Sequence, residues 1–117
     1  MPDAPEYAGK WVIVAGAASS LGIEVTQRLV DLGAEVHLVD AQKPNVAGIA
    51  SFTECDLHDG NAIVAAIDKI GAYVNALFVC APADSDALVD AVASKALPGS
   101  QIITNPEDVV ATLSRVR

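Results

Sequence analysis

The strongest constraint on this chain is the alternation of short apolar runs with amphipathic stretches. Trp11–Ala15 (WVIVA) is apolar without a break and short enough for a buried strand. Leu21, Val25, Leu29 and Leu32 then recur at three- and four-residue spacing, one face of a helix that Gly33 ends from the C′ position. Glu35–Asp40 (EVHLVD) reads as the next strand, and 42–46, with its Pro and Asn, as a loop. A shorter strand is expected within 48–56. A helix capped by Asp59 or Asn61 follows, ending near Ile70. A second apolar strand runs over Val74–Ala81 and ends at Pro82. An Ala-rich helix is expected over Ala87–Leu97, capped by Ser85 or Asp86. A Pro98-Gly99 turn and a short strand over Gln101–Thr104 come next. Asn105-Pro106-Glu107 starts a closing helix, with proline in its first turn. Strands alternating with helices predict a three-layer α/β fold of Rossmann type: a doubly wound parallel sheet of about five strands in the order 3-2-1-4-5. The 117 residues fit one shortened domain of this kind, with residues 1–9 as a loose arm.

Composition agrees with that fold and excludes several functions. Aromatic residues make up 4% of the chain against 52% hydrophobic, so the core must be built from Ala, Val, Ile and Leu, which suit a sheet covered on both faces. The net charge is −8 and the seven Lys and Arg residues form no cluster, so a nucleic-acid partner is not expected. Cys55 and Cys80 fall at strand ends and read as reduced core thiols of a cytoplasmic protein. The polar, acidic start (MPDAPEYAGK) has no signal-peptide pattern, and no apolar run approaches the length of a membrane span.

The main chemical signal is Gly16-Ala17-Ala18-Ser19-Ser20-Leu21-Gly22, set between a buried strand and an amphipathic helix. A turn there aims backbone N–H groups and the positive end of the helix at one spot, where a pyrophosphate is the usual occupant. Asp40 ends the second strand, close to the spacing of about 20 residues at which an acid binds an adenosine ribose. A carboxylate there accepts from both ribose hydroxyls and repels a 2′-phosphate, which favours NAD over NADP. The alternative is a glycine turn kept for packing only. Cys55, Asp56, His58 and Asp59 supply one Cys and one His with no second pair, so no metal site is expected. His37 reads as a partly exposed strand histidine. A phospho-receiver is excluded because Ala15-Gly16 stands where an acidic pair is needed.

The stretch GKWVIVAGAASSLGIEVTQRLVDLGAEVHLVD resembles the opening of short-chain dehydrogenases, whose signature there is Thr-Gly-x-x-x-Gly-Ile-Gly. Ala15 stands at the Thr, Gly16 at the first Gly, Ser20 at the second, Leu21 at the Ile and Gly22 at the last Gly. Cys55-Asp56-Leu57 resembles the family's adenine-contacting Asp-Leu pair. The run 75–82 resembles its Asn-Asn-Ala-Gly segment, with Val79 and Cys80 at the asparagines and Pro82 at the glycine. The resemblance covers about residues 8–82. It implies a cofactor site of Gly16, Ser19, Ser20, Leu21, Gly22, Asp40, Asp56, Leu57 and Ala81. Ser20 puts a side chain where the family brings backbone against the cofactor, and Pro82 removes an N–H beside the expected nicotinamide ribose.

The family's proton relay of Ser, Tyr and Lys, with Tyr-x-x-x-Lys spacing, has no match here. Tyr7 is followed four residues later by Trp11 and Tyr73 by Leu77, and Asn105-Pro106 stands where the catalytic Ser would follow the fifth strand. No catalytic residue is therefore assigned. The helix after the fourth strand is apolar around most of its circumference, which suggests burial against another chain. The leading expectation is a non-catalytic, short-chain-dehydrogenase-like subunit. It would pair with and stabilise a catalytically complete NAD-dependent dehydrogenase, as a hetero- or homo-oligomer. The alternatives are a stand-alone NAD-binding module and an oxidoreductase with an unrecognised active site.

Overall fold

The computed structural model describes residues 9–70, 74–80, 85–93 and 95–114. Five strands and four helices follow in order: β1 (Trp11–Ala15), α1 (Ser20–Asp31), β2 (Glu35–Asp40), β3 (Ser51–Glu54), α2 (Gly60–Ile70), β4 (Val74–Val79), α3 (Ser85–Ala93), β5 (Ala96–Ile103) and α4 (Pro106–Ser114). They form one parallel sheet in the order β3-β2-β1-β4-β5. The strand order therefore reverses between β1 and β4, whose C-terminal ends border a crevice where α/β sheets place their ligands.

Alternation along the strands divides the core into two layers. Val12, Val14, Val36, Leu38, Ala76 and Phe78 pack on one face with Val25 and Leu29 of α1 and Val109 of α4. Ile13, Ala15, Val39, Leu77 and Val79 pack on the other with Ile63 and Ile67 of α2 and Leu88 and Val92 of α3. Small aliphatic side chains let helices cover both faces of β1 closely. Helix α1 ends as its sequence requires. Gly33 takes φ +86° and donates to the Val30 carbonyl, and Ala34 donates to Leu29, closing a Schellman motif.

Several boundaries differ from the sequence reading. β3 does lie within 48–56 as expected, with Gly48 at φ +84° in a loop that packs over Val30 ahead of it. Helix α2 is capped by Asp59, whose Oδ1 accepts the Asn61 and Ala62 N–H groups, so Asn61 lies inside it. Ser85 and Asp86 are the first two residues of α3 rather than the expected cap before it. That helix stops at Ala93 rather than Leu97. Ala96 already pairs with Val74, and the register to Ala76 resumes only at Gln101, so Pro98-Gly99 sits within β5 as an irregularity of its edge strand. β4 ends at Val79 rather than running on to Ala81. Ala81, Pro82, Tyr7, Tyr73 and nearly all of the expected N-terminal arm lie outside the described residues.

His37 is a further correction, being buried at 6% exposure rather than partly exposed. Its ring stacks on Trp11 with centroids 4.3 Å apart, and its Nδ1 is 2.7 Å from Ser51 Oγ. Helix α3 divides its surface between the core and solvent. Leu88 and Val92 face the core, Ala87 and Ala91 pack against that same cluster beside α2, and Asp86 and Asp90 are exposed. Gly60 of α2 approaches Ala87 so closely that an added Cβ would be in van der Waals contact at 3.7 Å. Val89 is half-buried and Ala93 exposed on the same helix.

Candidate functional site

The site grows out of the turn between β1 and α1. Gly16 adopts φ +79°, a left-handed conformation that costs a side chain about 1–2 kcal/mol, and its N–H bonds the Val39 carbonyl of β2 at 3.1 Å. Six residues later the chain returns against itself. A Cβ on Gly22 would stand 2.3 Å from the Gly16 carbonyl oxygen and 2.7 Å from Ala17 Cα. Both outer glycines of the motif are therefore fixed by backbone geometry. Ser20, at the middle glycine position, is the first residue of α1, and no described residue other than glycine has positive φ. A serine fits there without backbone strain, and its exposed side chain stands at the head of the helix.

Ser19 is the N-cap of α1. Its Oγ accepts the Gly22 N–H at 3.0 Å and donates to the Gly16 carbonyl at 2.7 Å, with the Cys80 carbonyl also in reach at 3.2 Å. The hydroxyl thus stitches the turn to itself and to the end of β4. Cys80 in turn donates its N–H to Ala15, holding the two sides of the switch point together. The amides of Ser20 and Leu21 meet no acceptor among the described residues. They belong to the unsatisfied first turn of a helix, where the macrodipole favours an anion.

Asp40 lies opposite. Its Oδ2 accepts the Ala18 N–H at 2.9 Å and its Oδ1 the Ala41 N–H at 2.6 Å. The Asp40 carbonyl receives the Cys55 N–H at 2.9 Å, which brings Asp56 and Leu57 alongside. Asp56 is exposed and its Oδ1 accepts the His58 N–H, while Leu57 is buried in the α2–α3 layer. Burial, then the charges of Asp56, Asp59 and Asp40, push the Cys55 thiol up, so this corner of the crevice is electronegative. Burial alone pushes Cys80 up to about 12. Both cysteines are free and buried.

Of the residues expected from the sequence, Gly16, Ser19, Ser20, Leu21, Gly22 and Asp40 converge on this turn, and Asp56 and Leu57 border it. Ala81 lies outside the described residues. Two participants were missed: the Ala18 amide and the Cys80 carbonyl. Both act through backbone, and side-chain identity carries no signal for either. No group of metal-binding side chains occurs among the described residues.

A model of the NAD dependent epimerase/dehydratase family matches residues 12–101 of this chain. The chain belongs to that family. This short-chain-dehydrogenase-type chain is 40% identical over 75 residues to short-chain dehydrogenase reductase 5 of Arabidopsis thaliana, a match covering 54% of this chain and 29% of that protein. Aldohexose dehydrogenase of Thermoplasma acidophilum superposes with a TM-score of 0.59 at 28% identity, over 67% of this chain and 31% of its own. A short chain dehydrogenase family protein of Francisella tularensis gives a TM-score of 0.71 at 18% identity, over 81% and 50%. A mutant uronate dehydrogenase of Agrobacterium tumefaciens, complexed with NAD, gives 0.58 at 23% identity, over 74% and 37%. The last two likenesses establish the fold alone. The family member described here spans about a third to a half of the length of these proteins.

The turn fits the dinucleotide that the family's description names. Two amides are available for phosphate oxygens. Asp40 uses two of the about four lone-pair sites of a carboxylate, leaving acceptors for ribose hydroxyls. No backbone strain at Ser20 stands in the way.

Proposed function

We propose that this chain binds NAD at the β1–α1 turn and performs no hydride chemistry by itself. The observation that carries this reading is the pair of unpaired amides, Ser20 and Leu21, at the head of α1 beside a turn bonded to Asp40. Ser20 and Leu21 would hold the pyrophosphate, with Gly16 and Gly22 shaping the turn and Ser19 bracing it. Asp40 would take the adenosine ribose, and Asp56 with Leu57 would border the adenine. Ala81 is assigned to the nicotinamide side. NAD, when bound, supplies a hydride acceptor. The chain's own residues bind and orient it. NAD is preferred to NADP because the carboxylate of Asp40 would repel a 2′-phosphate, with Asp56 and Asp59 adding to the same negative field.

The absence of a Tyr-x-x-x-Lys pair in these 117 residues supports the non-catalytic part of the proposal. A second reading, pairing with a catalytically complete dehydrogenase chain, draws on different features. Ile102 of β5 and Val110 of α4 are exposed apolar residues at 37% and 52%, and β5 pairs only with β4 among the described residues. In this reading the contact takes in β5 and α4. Free buried thiols fit a cytoplasmic setting, which is part of the same proposal. No helix among the described residues is long and apolar enough to cross a membrane.

Thermal unfolding with added nucleotide tests the binding reading. NAD at about a hundredfold excess over its Kd should raise the midpoint by several degrees, and NADP should do so less. A midpoint that ignores NAD at high excess, or responds more to NADP, overturns the assignment.

A further inference from the structure

The Asp40 carboxylate already has backbone partners. Its Oδ2 holds the Ala18 N–H, 22 residues earlier in the chain, and its Oδ1 holds the Ala41 N–H. Ala18 sits in the middle of the glycine turn, where α1 has not yet begun and no helical carbonyl serves its amide. Other ties in the turn are different in kind. Gly16 N–H bonds a strand carbonyl, Ser19 N–H returns to Gly16, and the Ser19 hydroxyl caps the helix. The bond to Asp40 is the charge-assisted one, and it joins the turn to the end of β2. A hydrogen bond to a charged acceptor is roughly twice as strong as a neutral one.

From this arrangement we infer that Asp40 is a positioning residue, holding the β1–α1 turn in its working shape before any nucleotide arrives, in addition to its proposed contact with the ribose. The inference rests on the NAD-binding reading for its use but not for its existence. Holding the Ala18 amide fixes the path of the chain into Ser19 and hence the place of the Ser20 and Leu21 amides. The ribose end of the site therefore sets the geometry of the phosphate end. A residue that only reads the ribose would leave the empty turn unaffected when removed.

Amide hydrogen exchange and NMR of the nucleotide-free chain separate these cases. In Asp40→Ala, exchange at Ala18 should quicken on the order of tenfold or more. In Asp40→Asn, whose side-chain carbonyl still accepts, exchange should stay within a factor of about three of the parent chain. The unmodified chain gives a measurement that needs no variant to fold. A through-hydrogen-bond coupling should join the Ala18 amide nitrogen to the Asp40 carboxyl carbon. Equal exchange at Ala18 in the parent chain and Asp40→Ala would overturn the inference. So would the absence of that coupling in the parent chain. If Ala18 depends on Asp40 but NAD moves nothing, the positioning role stands and the NAD-binding reading fails.

Discussion

At Gly22 a single methyl group is enough to damage the turn. The atoms that a Cβ would meet belong to the backbone of Gly16 and Ala17, so no side chain can swing aside. Gly22→Ala should lower stability by about 2 kcal/mol or more, read as a lower urea midpoint with an unchanged slope. Thr26 is the opposite case. It is fully buried on α1 and its Oγ1 has no hydrogen-bond partner among the described residues. Thr26→Val removes that unmet group with little change of shape and should stabilise the fold by about 1 kcal/mol in the same assay. His37 gives a pH dependence. Burial lowers its pKa from the ordinary 6.5, and Glu35, at 3.9 Å from Nε2, only partly offsets this. The unfolded chain then binds the proton more tightly than the folded one. The contribution of neutral His37 is complete above about pH 6.5 and declines as pH falls toward the lower folded value. Trp11, the sole tryptophan and stacked on His37, reports unfolding directly by its emission. The urea midpoint should fall between about pH 7.5 and about pH 5.5, less steeply in His37→Gln.

The elements show where sequence reasoning succeeds and where it stops. The apolar run 11–15 and the 21-25-29-32 stripe named β1 and α1, because burial on both faces and burial on one stripe leave different periodicities. Gly33, Asp59 and Asn105 marked helix ends, because each end needs a specific backbone conformation or acceptor. The end of α3 was not legible. Ala96 and Leu97 have good helix propensity, yet pairing of Ala96 with Val74 draws them into β5. Nor was the burial of His37, which depends on Trp11 and Ser51 arriving from other strands. In the site, glycine positions and Asp40 could be read from spacing. The partner of Asp40 could not, since any residue at 18 offers the same N–H. Helix α4 tests the capping argument. The Asn105 side chain accepts the Glu107 N–H at 2.8 Å, and Val109 beyond it is fully buried. Asn105→Ala should cost about 1 kcal/mol in denaturant unfolding.

Across the whole molecule, one sheet with its order reversing between β1 and β4 gathers the glycine turn, the end of β2 and the end of β4 at a single edge. The acids around Cys55 make that edge electronegative, and the proposed attraction for a dinucleotide comes from oriented amides. This is a demanding arrangement, and it makes Ser20 and Leu21 the atoms on which the account depends. Titrating NAD into the isotope-labelled chain while following backbone amide resonances tests that dependence most directly. The Ser20 and Leu21 amides should shift saturably, with Ala18 and Ala41 beside them, while Val74 at the opposite end of the sheet stays in place. Unmoved Ser20 and Leu21 resonances at millimolar NAD would contradict the account.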